Sequence, residues 1–251
     1  MLKIIMNGCN GKMGQVVSRI VAEQEDIEIV AGIDVSDRIT NTYPTYAKLG
    51  DFAGSADVLI DFSIPDSLES ILEFTAARNM PAVICTTGLN RAQIDSMHTA
   101  SAKIPIFFSA NMSLGVNLII DLAKRAAKLL EGSFDIEIVE KHHNQKIDAP
   151  SGTALAIADR ISEVLADTPE YVYDRHSSRE KRSKTEIGIH AIRGGTIVGE
   201  HDIIFAGTDE VITLSHSAAS KEVFAVGAVK AARFMYGKPA GMYSMAELVG
   251  E

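Results

Sequence analysis

The chain has 251 residues, 46% of them hydrophobic and 23% charged, with a formal net charge of -9. That length holds one large domain or two modest ones around a sizeable core, and the charge opposes nucleic acid unless a basic patch is concentrated somewhere. No apolar run reaches bilayer-spanning length, residue 1 leads directly into strand-like residues without a basic leader, and the two cysteines form neither a metal spacing nor a disulfide framework, so a cytoplasmic protein with no membrane partner is expected.

Residues 2–6 are an apolar run ending at Gly8, and from Met13 the apolar positions fall at 13, 16, 17, 20 and 21. That pattern predicts a strand, a glycine turn and an amphipathic helix. Residues 27–33 read as a second buried strand ending in Asp34, twenty positions after Gly14. These parts at this distance make a dinucleotide-binding βαβ unit. The glycines let the backbone approach a pyrophosphate, the helix N-terminus faces its charge, and the acid accepts from a ribose hydroxyl. The spacing Gly8-x-x-Gly11-x-x-Gly14 departs from the commonest fingerprint. Cys9 reads as a small residue in a tight turn rather than as a nucleophile.

Strand 58–62, helix 66–78, strand 81–85, helix 94–103 and strand 104–108 continue the alternation. This predicts an α/β fold with a Rossmann-like doubly wound parallel sheet, whose ligand crevice lies at the carboxyl ends of the strands. The polar loops Phe62-Ser63, Thr86-Thr87-Gly88 and Ser109-Ala110-Asn111 all fall at such ends. After Asn111 the pattern changes to a helix over 116–130 and strands at 135–140, 185–193, 201–206 and 211–217, with 207–210 as a hairpin loop and a helix over 153–166 packed on the sheet. A second, α+β domain with an open, mostly antiparallel sheet is expected, and residues 224–235 form a last helix. The basic segment 174–184 (Arg175, His176, Arg179, Lys181, Arg182, Lys184) lacks interleaved aromatics and reads as a solvated excursion, so no nucleic-acid partner is expected.

Residues 140–154 place two imidazoles, an ammonium and a turn rich in small residues on a strand-to-helix connection. Ser151 or Thr153 can cap the helix that follows, leaving N–H groups and the positive end of its dipole to face an anion beside acid/base groups. His142 and His143 point to opposite faces if the strand continues, so one of them shares a cleft with Lys146. A zinc site built on Glu140, His142 and His143 is the competing reading. It lacks the usual ligand spacing, and Lys146 would repel a dication, so no metal is expected.

The string Asp148-Ala149-Pro150-Ser151-Gly152-Thr153-Ala154 resembles the 4-hydroxy-tetrahydrodipicolinate reductase (dihydrodipicolinate reductase) family of bacterial lysine biosynthesis. Gly8 to Gly14, Thr86-Thr87-Gly88, the run from Ser109 to Asn117, Arg193-Gly194-Gly195 and Val198-Gly199-Glu200-His201 match other landmarks of that family in the same order. The resemblance covers essentially the whole chain. It implies a dinucleotide-binding domain from residues 1–112 and 221–251 and a substrate-binding, oligomerisation domain from 113–220. It further implies His142 as proton donor or acceptor, Lys146 as second catalytic group, and His143, Gly152 and Thr153 as substrate contacts. Cofactor contacts implied in the same way are Gly8, Cys9, Asn10, Gly11, Lys12, Met13, Asp34, Cys85, Thr86, Thr87, Ser109, Ala110, Asn111 and Met112.

A hydride donor beside an anion-binding, proton-supplying cluster implies reduction of a polarised C=C or C=N bond in a carboxylate. By resemblance the substrate is the cyclic dicarboxylate 4-hydroxy-tetrahydrodipicolinate, the cofactor NADH or NADPH, and the assembly a homotetramer. Asp34 is followed by Val35 and Ser36, where many relatives carry an arginine, so NADH is expected to be preferred with NADPH usable. Two other readings compete: a Rossmann dehydrogenase acting on a different amino or keto acid, and a non-enzymatic nucleotide-sensing module, which has no need of His142, His143 and Lys146 together.

Overall fold

The computed structural model describes residues 1–177 and 179–250. The chain divides into two compact units, Met1–Leu114 with Glu222–Glu251, and Gly115–Lys221. The first unit opens with strand β1 (Leu2–Asn7), helix α1 (Lys12–Ala22) and strands β2 (Ile27–Ile33), β3 (Thr45–Tyr46) and β4 (Val58–Asp61). Helix α2 (Leu68–Ala77), β5 (Ala82–Ile84), α3 (Arg91–Ser101) and β6 (Pro105–Phe108) follow. Helix α4 (Leu114–Leu130) leads into the second unit, with β7 (Asp135–His142), α5 (Gly152–Ser162), β8 (Glu170–Val172), β9 (Glu186–Arg193), β10 (Gly199–Ala206) and β11 (Val211–Ala218). Helix α6 (Glu222–Met235), β12 (Gly241–Tyr243) and α7 (Met245–Gly250) belong again to the first unit.

Seven strands of the first unit form one sheet in the order β12-β6-β5-β4-β1-β2-β3, and every pairing is parallel. This is the doubly wound arrangement expected, with its reversal of strand order between β1 and β4. The central strands are buried on both faces, which is why they read as continuous apolar runs. Ile4, Met6, Val58, Ile60, Val83 and Phe107 pack on one face with α1 and α6, whereas Ile5, Leu59, Ala82, Ile84 and Ile106 pack on the other with α2 and α3. Each fully buried isoleucine contributes roughly 1.5–3 kcal/mol of transfer free energy. Small side chains let α6 settle closely on this core: a Cβ on Gly227 would stand 1.7 Å from the Met112 carbonyl oxygen.

The second unit has a five-stranded sheet, β11-β10-β7-β9-β8. It corrects the expectation of a mostly antiparallel sheet: β10 pairs antiparallel with β11 and β7, but β7 with β9 and β8 with β9 are parallel. The sheet is mixed because the segment joining β7 to β9 contains α5, and a helical crossover returns the chain in the same direction. On one face Ile136, Ile138, Ile187, Ile189, Ile203 and Phe205 meet α4 and α5. No helix among the described residues is long and apolar enough to cross a membrane.

Candidate active site

The glycine turn of the first unit is shaped by its neighbours. Gly8 adopts φ +77°, and a Cβ there would stand 2.6 Å from the Phe62 carbonyl oxygen. At Gly14 a Cβ would fall 2.1 Å from the Gly8 oxygen, so the start of α1 approaches β1 only without a side chain. Gly11 is the N-cap of α1, no side chain caps that helix start, and no acid lies in its first turn. Lys12 is exposed and Met13 half-buried at the same end. The result is an uncompensated helix N-terminus of the kind that binds anions.

Asp34, at the end of β2, is brought to this turn. Its carboxylate accepts from the Asn10 and Ser36 backbone N–H groups, each at 2.9 Å. The Asn10 side chain donates in turn to the Ser36 carbonyl and accepts from Asn41 at 2.8 Å. Cys9 is buried, and burial together with the Asp34 charge pushes its thiol to about 11, far from a nucleophile's range. Gly8, Gly11 and Asp34 line a cavity of about 880 Å³ that also includes Asn7, Phe62, Ser63 and residues 47–51.

The other expected cofactor contacts lie in the loops after β5 and β6. Cys85 and Thr86 are buried, and Thr87 is exposed. Thr86 donates to the buried Asp61 carboxylate, which also accepts from Asn7 Nδ2 at 2.8 Å and from Ser63 Oγ at 2.6 Å. Ser109 Oγ donates to the Asn111 carbonyl, and the Asn111 side chain accepts from the Ser113 N–H. Ala110 is exposed and Met112 buried. An anion-receiving helix start, an acid at the second strand's end and hydroxyls anchored at neighbouring strand ends fit a nicotinamide dinucleotide.

In the second unit, β7 alternates so that Ile136, Ile138, Glu140 and His142 face inward. Glu140 is completely buried yet ionised. Burial raises its pKa, but the bonds from the Arg193 guanidinium, from His142 and from the Ser151 N–H outweigh it and hold the carboxyl below its ordinary range. Arg193 Nη1 and Nη2 form the two prongs of a fork on Glu140 at 2.7 Å each, and His142 Nδ1 lies 2.6 Å from Oε2. The strand ends at His142, and the Gly194 and Asn144 N–H groups tie the following loop to the 193–195 turn. His143 sits half-buried at the start of that loop.

Lys146 pairs with Asp148 at 2.8 Å, and the Asp148 carbonyl accepts from Arg193, so the loop carrying the ammonium is fastened to the Glu140 cluster. The Lys146 charge holds the Asp148 carboxyl below its usual range. Of the two possible caps of α5, it is Ser151 whose Oγ accepts from the Ala154 N–H at 3.1 Å. Gly152 and Thr153 follow as the first helical residues, with no acid beside them. His201 approaches from β10, 3.1 Å from Ser151 Oγ and edge-on to His142 with ring centroids 5.3 Å apart. Burial and the neighbouring His142 push its pKa to about 4, so it is a neutral imidazole.

Thus the second unit gathers Glu140, His142, Ser151, Arg193 and His201 into one hydrogen-bonded group, with Lys146 attached through Asp148. Glu140, Arg193, Ser151 and His201 were not among the site residues expected from sequence. The signal for Glu140 was present: a charged residue in the inward register of an apolar strand needs a buried partner. Arg193 and His201 stood within conspicuous motifs, but only the sheet register brings them to Glu140. The arrangement can move a proton at the imidazole and receive an anion at the α5 N-terminus.

The sequence matches the family description "Dihydrodipicolinate reductase, N-terminus" over residues 2–112 and "Dihydrodipicolinate reductase, C-terminus" over residues 115–249. It is 55% identical over 249 residues to the 4-hydroxy-tetrahydrodipicolinate reductase of Caldanaerobacter subterraneus subsp. tengcongensis, covering 99% of this chain and 98% of that protein. The enzyme of the same name from Clostridium tetani is 50% identical over 245 residues, covering 98% and 96%. Among solved structures, the dipicolinate-bound dihydrodipicolinate reductase from Paenisporosarcina sp. TG-14 superposes with a TM-score of 0.83 at 25% identity, over 97% of each chain. The chain belongs to the dihydrodipicolinate reductase family.

Proposed function

We propose that the protein reduces 4-hydroxy-tetrahydrodipicolinate to tetrahydrodipicolinate with NADH or NADPH, a step of diaminopimelate and lysine biosynthesis. The observation that carries this reading is family identity across both units, at 50–55% with full-length relatives of that name. The relative from Paenisporosarcina, solved with dipicolinate bound, supports a cyclic dicarboxylate as the ligand class.

A reduced nicotinamide dinucleotide supplies a hydride when bound, and the residues proposed to hold it are the Gly8 to Met13 turn, Asp34 and the loops from Cys85 to Thr87 and Ser109 to Met112. His142 donates or accepts the proton. Lys146 acts as the second acid/base or electrostatic group, and Gly152 and Thr153, at the α5 N-terminus, bind a substrate carboxylate with His143. Positioned acids and aimed electrostatic donors each account for roughly 10²–10⁴-fold in such reactions. Asp34 favours the free 2′-hydroxyl of NADH over the 2′-phosphate of NADPH, which remains usable.

A homotetramer assembled through the second unit's sheet is also proposed. The sheet face turned away from α4 and α5 carries Ile192 and Val211, both exposed, beside the half-buried Val139 and Ile204. Such a face is better covered by another copy than left bare.

The deciding experiment follows reduced-cofactor absorbance on adding 4-hydroxy-tetrahydrodipicolinate generated in situ. Oxidation that depends on this substrate supports the reading. Oxidation with another amino or keto acid only, or nucleotide binding without turnover, would reject it.

A further inference from the structure

The Glu140 carboxylate has its acceptor positions filled in a way that fixes the ring beside it. Oε1 accepts from the Ser151 N–H at 2.9 Å and from Arg193 Nη2 at 2.7 Å. Oε2 accepts from Arg193 Nη1 at 2.7 Å and lies 2.6 Å from His142 Nδ1. An ionised carboxylate only accepts, so His142 Nδ1 must be the donor, and the neutral ring carries its proton there. The lone pair is then on Nε2.

Gly199 lies on the other side of the ring. A Cβ at that position would stand 3.1 Å from His142 Nε2, closer than most side-chain contacts, so a side chain on the strand here would crowd this nitrogen. Other charged and titratable groups reach the cluster from every neighbouring element. Arg193 comes from β9, the neutral His201 from β10 with His216 opposite it on β11, and Lys146 with Asp148 from the loop. Arg193 and Glu140 offset each other's charge, so with Glu140 ionised the Arg193 guanidinium is not left as a bare cation beside the ring.

We propose that Glu140, clamped by Arg193 and the Ser151 N–H, is a positioning residue that holds His142 with its proton on Nδ1, making Nε2 the atom that exchanges a proton with substrate, and that the glycine at 199 keeps a side chain from crowding that atom. The inference rests on the reading of His142 as the proton-transfer group and deepens it by naming the reacting nitrogen and its support.

The test uses the full chain labelled with ¹⁵N in histidine, with His142 assigned from a His142→Gln variant. Ring nitrogen shifts above the titration of the ring report which nitrogen carries the proton. The expected wild-type result is the Nδ1–H form, and in Glu140→Gln a loss of that preference. Glu140→Gln also leaves the Arg193 cation uncompensated beside the ring, which disfavours the protonated imidazole, so kcat falls roughly 100-fold, KM changes far less, and the alkaline limb of the pH–rate profile moves to lower pH. A purely structural Glu140 would alter stability but leave both the ring shifts and that limb in place. Gly199→Ala serves as a second variant: turnover drops by about tenfold while the ring remains Nδ1-protonated, in keeping with a crowded reacting atom. An Nε2–H ring in the wild type, or full turnover in Gly199→Ala, overturns the proposal. A wild-type protein without reductase activity would instead reject the assigned function, and the ring shifts would still decide whether Glu140 sets the tautomer.

Discussion

Thr86 Oγ1 donates to Asp61 Oδ2 at 2.6 Å, which ties the loop after β5 to the end of β4 inside the sheet. Asp61 is 1% exposed and, among the described residues, has no cation as a hydrogen-bond partner, its carboxylate accepting from the Asn7 amide and from the Ser63 N–H and hydroxyl as well. One carboxylate thus sets the geometry of three strand ends at the switch point of the sheet. Asp61→Asn turns an amide N–H toward donors and should cost about 2–3 kcal/mol of stability. It should also weaken dinucleotide binding, because Ser63 and Thr86 lose their anchor. Urea denaturation and a fluorescence titration with reduced nucleotide measure the two effects, and a variant as stable and as tight as wild type would refute this account.

His142→Ala and Lys146→Ala should each lower kcat/KM at least about 100-fold with the fold and nucleotide binding retained, since their proposed roles lie in the transition state. Steady-state kinetics beside circular dichroism and nucleotide titration provide the check. Near-normal turnover in both variants would end the assignment of these residues.

Acid should destabilise the second unit in a window set by His201. Its folded pKa is about 4, from an ordinary value of 6.5, chiefly because burial disfavours the charged ring. Between those values the unfolded chain binds the proton and the folded one does not, so the contribution is full above pH 6.5 and declines as pH falls toward about 4. A shift of this size corresponds to at most about 3 kcal/mol. Glu140, whose pKa is lowered, contributes stability above its unfolded value of 4.5 that is lost as pH falls through the folded one, so its loss begins only at the acid end of the His201 window. Melting temperatures from pH 7.5 to 4 should drop for the wild type and fall less between 6.5 and 4.5 for His201→Gln, the slope that remains there coming from His216 on the neighbouring strand, whose pKa burial also lowers. Parallel curves for both proteins would show that His201 is not the group responsible.

The basic segment before β9 departs from the solvated excursion expected of it at two residues, Arg182 and Arg175, while His176, Arg179, Lys181 and Lys184 are exposed. Arg182 uses all five N–H donors: on Glu137 at 3.0 Å, Asp135 at 2.9 Å, and the carbonyls of Ser183, Ile136 and Glu186. Arg175 pairs with Glu186 at 2.6 Å. Arg182→Met should therefore cost about 1–3 kcal/mol, because it strips partners from half-buried carboxylates, whereas the exposed Arg179 and Lys181 should tolerate the same change within about 0.5 kcal/mol. Equal effects at all three positions in chemical denaturation would contradict this division.

What was legible in the sequence follows from the range of the interactions. The parallel sheet could be read because its strands are buried on both faces and its helices have one apolar side, and Asp34 could be placed because a βαβ unit fixes its distance from the turn. The edge strands Thr45–Tyr46, Glu170–Val172 and Gly241–Tyr243 were missed, since two or three residues are too few to show a period. The parallel pairing of β7 with β9 was missed because it depends on which strands α5 connects. The Glu140–Arg193 fork joins residues 53 positions apart, and nothing local in the sequence marks the two as partners.

The proposed NADH preference follows from the charges around the 880 Å³ cavity. Asp34 accepts one backbone N–H on each oxygen, which leaves each oxygen free to accept a ribose hydroxyl. Asp51 and Glu73 line the same cavity, and among the described residues that line it Lys48 is the one lysine or arginine, with neither Lys12 nor Arg38, the nearest cation after Asp34 in the chain, in that lining. A 2′-phosphate near Asp34 therefore meets a carboxylate first; like charges about 4 Å apart cost about 1 kcal/mol in water and about 4 kcal/mol near a protein surface. The exposed Lys48 offsets part of this, which is why NADPH should remain usable. Asp34→Ala should lower affinity for NADH and relieve NADPH, moving the ratio of their kcat/KM values toward NADPH by about tenfold, while Lys48→Ala should move it the other way. Dissociation constants for both reduced nucleotides, measured without substrate, separate binding from turnover. A tenfold or greater advantage of NADPH in the wild-type protein would mean that a cation reaches the phosphate and that Asp34 does not set the choice.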